Sequence, residues 1–566
     1  MRRALLAASW IVIASASGKP ARAQAPGDTP AAGGSGPSLP VRLSGDVSSY
    51  GELYGAAGIA ARRPGETYRL SMSSQLTFFG SFSLGLSVLA SSEGSETRQS
   101  MSQFGLNPRL GWATLHLGDF SQNLSAYTVQ GTRVRGAGFD LRPGILRLSF
   151  QAGQLQRTVQ GGGAGNLAYK RNLVAGLIGL GREQSSFLDL LVLRAKDDPS
   201  SLTTALADTL LLDTIPPELR PRYDVRPQEN LVVGSRGQAV LFGRRLQLTG
   251  EGAVAVINRD LDAPAADPSS AAGANALGGL VPVTLATSRD YALKLDGAYT
   301  GGAGSLRMGY EYVGPGFTSM GLAYEIGDRR TISGSGDLRL AGGRVMLQGQ
   351  VQHQTDNLAH QRAYTTSRNA LTGSVAILFT RDLMTSFTAM VNTILNDATV
   401  DTFVVDNRAL ALTASAAWQT ELAGMRTGLN LAWAYQRTSD ANVVTRIPLV
   451  SVQNVSAGLQ VAVSRALTLS PSLSFASTST AGAASQQNVF VGLRAQGRFG
   501  SVRPSLAFAR TYSGSRAVTT LTGQASWALP LGTRLTLQGR HARYDAVGTR
   551  PAFNESVLTL TVGRSF

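Results

Sequence analysis

The chain has 566 residues and no cysteine. That excludes a disulfide scaffold and any cysteine-ligated zinc or iron–sulfur centre. Beyond the N-terminus there is no run of ~20 apolar residues, which excludes a polytopic helical membrane protein. Charged residues are scarce at 16%, yet 43% of the chain is hydrophobic, so it is not a disordered polyelectrolyte. No HExxH, EF-hand or P-loop pattern occurs. Gly161, Gly162 and Gly163 read as a loop, because no strand and helix flank them as a nucleotide cradle requires. The four histidines, His116, His353, His360 and His541, have no nearby Ser/Asp pattern of the triad kind. No catalytic, cofactor-binding or metal-ligating residue is expected, and the chain is not expected to be an enzyme. A large soluble β protein and a transmembrane β-barrel remain.

The first 23 residues read as a secretory signal peptide. Arg2 and Arg3 precede an apolar stretch with Leu5, Leu6, Trp10, Ile11, Val12 and Ile13, and Ala21-Arg22-Ala23 supplies a small-residue cleavage site. Residues 24–40, rich in Gly, Pro, Ser and Ala, read as a flexible periplasmic leader. The barrel is expected over 41–566.

From Val41 onward the dominant period is two. In Met425–Tyr435, Thr427, Leu429, Leu431, Trp433 and Tyr435 share one face, opposite Arg426, Gly428, Asn430, Ala432 and Ala434. Val345, Leu347, Gly349 and Val351 oppose Gln348, Gln350 and Gln352, and Leu535 and Leu537 oppose Arg534, Thr536, Gln538 and Arg540. Such alternation marks strands with one apolar and one polar face. Segments of about ten or more residues, tilted near 45°, rise by roughly the apolar thickness of an outer-membrane barrel. About 26 strands (24–28) can be placed, the fourth near 98–107. Short connections alternate with long ones, the latter near 197–228, 259–287, 316–330 and 439–450. The fold class is therefore all-β: one large antiparallel transmembrane barrel without a plug domain. Leu429, Leu431, Leu535 and Leu537 should face lipid. Arg307, Arg339, Gln348, Arg426, Arg494, Arg498, Arg534 and Arg540 should face the lumen. Trp112, Trp418 and Trp527 should lie at the periplasmic rim, and Trp433 and Tyr435 at the other.

The last residues, Val557–Phe566, put Leu558, Leu560, Val562 and Phe566 on one face and end on phenylalanine. This resembles the C-terminal signature strand of bacterial outer-membrane proteins, apart from Arg564. The resemblance implies that the barrel assembly machinery recognises Phe566. A second resemblance rests on Gly118-Asp119-Phe120, Tyr127, Gly131, Val134–Gly138, Leu141–Gly144, Arg147 and Gly153. It continues through Lys196–Asp198, Pro227–Val232, Gly250-Glu251, Gly314–Phe317, Gly321 and Asp328. These residues are similar to those of large Bacteroidota-type barrels of unassigned activity. They imply a fold and a location in the outer membrane of a Gram-negative-type bacterium, not a reaction.

Of 52 basic residues 48 are arginine, and on strands they fall mostly on the polar face. They can form an inter-strand charge ladder or an anion-favouring pore lining. Twenty-six strands at ~4.8 Å spacing and ~40° tilt enclose a lumen about 50 Å across. Side chains alone cannot fill that space, so water, infolded loops or another protein must. The leading expectation is an outer-membrane pore or export channel, anion-favouring and constricted by loops. The alternative is a non-conducting barrel that anchors or assembles a surface protein. The expected partners are outer-membrane lipids, the assembly machinery and a periplasmic or surface protein, with no nucleic acid. Leu206, Leu210, Leu211 and Leu212 make 197–228 unusually apolar for a loop, and with 259–287 it should fold over or into the mouth.

Overall fold

The computed structural model describes residues 41–92, 103–160, 167–202, 225–266, 280–324, 327–442, 449–514, 516–548 and 550–566. The signal peptide and leader, and the loop leucines Leu206, Leu210, Leu211 and Leu212, lie outside the described residues. Among the described residues there are 26 strands, β1 (Val41–Ala57) to β26 (Phe553–Ser565), and no helix longer than a single 3-10 turn. Each strand read from the alternation falls on an observed one. The fourth is described over Gln103–Leu110 and runs straight through Pro108 to the turn at Gly111, and the part of it expected over 98–102 lies outside the described residues.

Strands pair antiparallel in chain order, and β1 closes on β26 from Asp46↔Ser565 to Ala57↔Asn554. Beyond that ladder, Gly45 and Phe566 exchange backbone hydrogen bonds of 2.8 and 2.9 Å, so the terminal phenylalanine is part of the closure. Closure leaves no strand edge unpaired, which lipid requires. Turns from even- to odd-numbered strands are short. A two-residue turn, Ala423-Gly424, has φ of 51° and 75° and joins Leu422 to Met425, the geometry that suits a twisted hairpin. The strand ends that the long connections 121–133, 157–169, 199–228, 259–286 and 314–328 join all lie at the other end.

The pairing register defines two faces around the whole wall. Leu429 lies beside Trp418 and Leu459, and Leu431 beside Ala416 and Ala457. Leu535 lies beside Trp527 and Val562, and Leu537 beside Ala525 and Leu560. This row-by-row apolar face is the exposed one and continues through Leu306, Ile332, Val351, Leu371 and Phe387. It therefore faces outward. Toward the long loops it ends in a polar row that contains the ion pairs Asp119–Arg135 and Lys196–Glu229 at 2.9 and 3.1 Å. Trp418 and Trp527 mark its short-turn end, and Trp433 stacks on Tyr435 nearer the other end, with ring centroids 6.4 Å apart. Trp112 occupies a short turn.

The two faces make a direct prediction. Leu431→Arg should destabilise the folded barrel by about 2–4 kcal/mol, the cost of a cation near the bilayer midplane. Ala432→Arg, one residue on and facing inward, should not. Reversible folding in lipid vesicles, titrated with denaturant, measures both.

Candidate functional site

The candidate site is the lumen, and its wall is of two kinds. Most of the inner face is polar, as the alternation implies. Over five strands it is not. These are β8 (Lys170–Gly181), β9 (Phe187–Asp198), β10 (Glu229–Leu241), β11 (Leu246–Asn258) and β12 (Thr287–Thr300). Leu173, Ala175 and Leu177, then Leu191, Leu193 and Ala195, then Val232, Ala253, Ala255, Ile257 and Ala292 form one buried inner patch. This corrects the expectation of a uniformly polar inner face. The sequence carried the signal: Leu188–Leu193 is apolar at five of six positions, and a strand apolar on both faces is covered on both.

Two loops cover the patch from inside. The first, 121–133, follows β5 (Ala113–Phe120); the second, 314–328, follows β13 (Gly304–Val313). Leu124, Tyr127 and Val129 of the first and Phe317 and Met320 of the second join the same buried cluster. The loops also pair with each other. Gln130 N–H donates to the Gly321 carbonyl at 3.0 Å, and Ala323 N–H donates back to the Gln130 carbonyl at 3.1 Å. The Ser319 hydroxyl donates to the Thr128 carbonyl at 2.7 Å. Asn230, fully buried on β10, receives Met320 N–H at 3.0 Å and donates to the carbonyls of Val256 and Thr318. Gly316 N–H donates to Asp290 at 2.7 Å. A Cβ at Gly321 would come within 2.3 Å of the Thr128 carbonyl and 2.4 Å of Leu193, so only glycine permits this contact. Among the described residues the loops that fold onto the inner wall are 121–133 and 314–324, while much of 197–228 and 259–287, expected from sequence to narrow the mouth, lies outside the described residues.

Beneath the apolar patch runs a row of charge. Arg236, Glu251, Lys294 and Glu311 are consecutive partners across the inner wall. Tyr127 joins the loop to this row. Its backbone N–H donates to Glu251 and its hydroxyl to Glu311, both at 3.0 Å. Burial, with Glu311 close by, pushes the phenol well above its ordinary value, so it remains a donor. The row continues to Asp189, fully buried, which receives Arg147 Nε at 2.7 Å and Arg236 Nε at 3.0 Å. Arg147 is 2% exposed, reaches Glu183 at 3.0 Å and lies over the Phe187 ring.

The remaining wall is lined by Gln, Ser, Thr, Asn and Arg. Arg307, Arg339, Gln348, Arg426, Arg494, Arg534 and Arg540 sit on the inner, polar side of their strands. Arg498 lies in the turn after β22 (Gln486–Gly497) instead of on a strand. His116 lies on the inner face between Asn107 at 2.7 Å and Asp140 at 3.0 Å. Ser149 is close, but its hydroxyl donates to Asp140 and not to the imidazole. No nucleophile–base contact exists there, so this is not a triad arrangement. Among the described residues no group of carboxylates and histidines could hold a metal ion.

A closed ladder with an apolar exterior and an interior that is polar outside one loop-covered sector decides the class. The chain is a transmembrane β-barrel of the bacterial outer-membrane type. Neither a family model nor a curated protein matches its sequence. Solved structures align with it only loosely. The outer-membrane protein OpdK of Pseudomonas aeruginosa shares 9% identity at a TM-score of 0.31, over 60% of this chain and 94% of that one. An anion-selective porin of Comamonas acidovorans shares 13% at 0.29, over 50% and 93%. The translocation pore of the P pilus usher shares 12% at 0.26, over 93% and 99%.

Proposed function

We propose that this barrel is a non-enzymatic outer-membrane pore. Its conducting lane follows the polar wall, while the two inner loops occupy the half of the lumen beside β8–β12. The observation that carries this reading is the division of the inner wall. The apolar sector is buried under loops of its own chain, and the rest carries hydrogen-bonding side chains suited to water. Arginine dominates the charge of the polar sector, with Arg307, Arg339, Arg494, Arg503, Arg534 and Arg540 on the inner rows. Cation-lined pores favour anions. Phe566, hydrogen-bonded into the β1–β26 closure, serves in this reading as the assembly signal.

Reversal potentials in planar bilayers under a potassium chloride gradient test the selectivity. Chloride should be the more permeant ion, and neutralising Arg307, Arg339 and Arg540 to glutamine should move the reversal potential toward zero. A cation-selective pore would refute the anion preference. A correctly assembled barrel without current would favour the surface-protein anchor.

A further inference from the structure

One inner-wall cavity near the short turns has a donor set unlike the rest of the lumen. It measures about 370 Å³, and Arg494, Arg503 and Arg534 line it. They come from β22, β23 (Val502–Ser513) and β25 (Thr533–Tyr544). The register sets them around a neutral floor. Ser505 pairs with Gln496 on one side and Gln524 on the other. Arg503 pairs with Ser526 on the row below, and Arg534 pairs with Ala528 one row further toward the turns. No aspartate or glutamate lines the cavity. This contrasts with the opposite wall, where Arg147, Arg171 and Arg236 each hold a carboxylate within 3.0 Å. Arg494, Arg503 and Arg534 have no such ion pair among the described residues. The side chain hydrogen-bonded to Arg494 is neutral: the Gln496 amide oxygen, in its hydrogen-bonding orientation, accepts from it at 2.9 and 3.2 Å.

Guanidinium groups that share one cavity without a counter-charge repel one another unless an anion lies between them. Each offers a planar fork that fits two oxygens of one ligand. We propose that this cavity is a binding site for a phosphate-type dianion, free or as the head of a small phosphomonoester, at the short-turn end of the lumen. Arg503 lies one row from Arg534 and two rows from Arg494, so it shares a tetrahedral oxyanion with one of them at a time, and Ser505, Ser526 and Gln524 can donate to the oxygens the arginines leave. The volume leaves room for a small organic group beside the phosphate. The site rests on the pore reading only for its access to both compartments, since binding itself needs no current.

The test uses the whole barrel in detergent and in planar bilayers. Inorganic phosphate and glycerol phosphate are the probes, with chloride as the background anion. Calorimetry should register binding of inorganic phosphate to the wild-type barrel. Phosphate added from the short-turn side should also reduce the chloride current in a saturable way. Replacing Arg494, Arg503 and Arg534 together by glutamine should weaken both effects at least tenfold. A control barrel with Arg42, Arg109 and Arg344 replaced by glutamine loses the same charge from the same end. It should keep phosphate binding. Glycerol phosphate binding as tightly as phosphate would assign the site to phosphomonoesters, and weaker binding to the free ion. Equal weakening in the two triple variants would mean a diffuse cationic field and would overturn the site. So would chloride current in a wild-type barrel that binds no phosphate. Phosphate binding without any current would leave the site standing and remove the pore reading.

Discussion

Asp189→Ala will destabilise the barrel by about 3–5 kcal/mol, the cost of leaving a buried charge without its partner. Asp189 is fully buried and serves two guanidinium groups, Arg147 at 2.7 Å and Arg236 at 3.0 Å. With the carboxylate gone, Arg147 retains only Glu183, which is largely exposed and screened. The strands pack closely here, and a Cβ on Gly179 would stand 2.6 Å from the Leu188 carbonyl oxygen. Denaturant unfolding in detergent or vesicles reads the loss. Replacing Arg147 and Asp189 together by leucines should recover part of it, because the desolvated charges are removed as a pair, although Arg236 then remains unpaired. A single Asp189→Ala variant as stable as the wild type would mean that water reaches this pair.

Gly321→Val should have the largest effect on the lumen. Its side chain would have to occupy the space of the Thr128 carbonyl and of Leu193, one a backbone atom and the other part of the packed wall. Overpacking of this kind costs about 1–3 kcal/mol, and the strain falls on the contact that joins the two inner loops. Two hydrogen bonds between them end on the Gly321 carbonyl, from Gln130 N–H and the Thr132 hydroxyl, and its own N–H donates to Ser319 within the second loop. Ser319 in turn holds Thr128. We expect larger and noisier single-channel conductance, with the barrel still folded by its gel mobility. Tyr127→Phe, which removes only the hydrogen bond to Glu311, should give a smaller change in the same direction. Unchanged conductance in Gly321→Val would mean that the loops do not narrow the path of ions.

The strands were legible because each obeys a local rule. Alternation over ten or more residues fixes both the strand and which side chains point outward, and the neighbouring strand repeats it in register. Leu429 and Leu431 needed no knowledge of Trp418 or Leu459 to be assigned to one face. The inner loops break that locality. Gln130 and Gly321 are far apart in sequence, and the residues between them gave no hint that their backbones pair. The apolar wall that receives the loops was visible in Leu188–Leu193. What covers it was not, because 121–133 is a polar loop with only Leu124, Tyr127 and Val129 as apolar anchors. The glycine-rich residues that resemble large Bacteroidota-type barrels gain a physical meaning here. Tyr127, Phe317, Gly321 and Asp290's neighbours Gly314 and Gly316 converge on the loop pair, while Arg147 belongs to the charged row beneath it. His116, Asp140 and Ser149 likewise meet only because β5, β6 (Val134–Leu141) and β7 (Leu146–Gln156) lie side by side.

Single-channel recording of the purified barrel in a planar bilayer tests the central claim most directly. The account predicts discrete openings in wild-type protein, chloride more permeant than potassium, and a higher conductance when Gly321→Val loosens the loop pair. A correctly folded, heat-modifiable barrel that passes no ions, with or without that substitution, would contradict it.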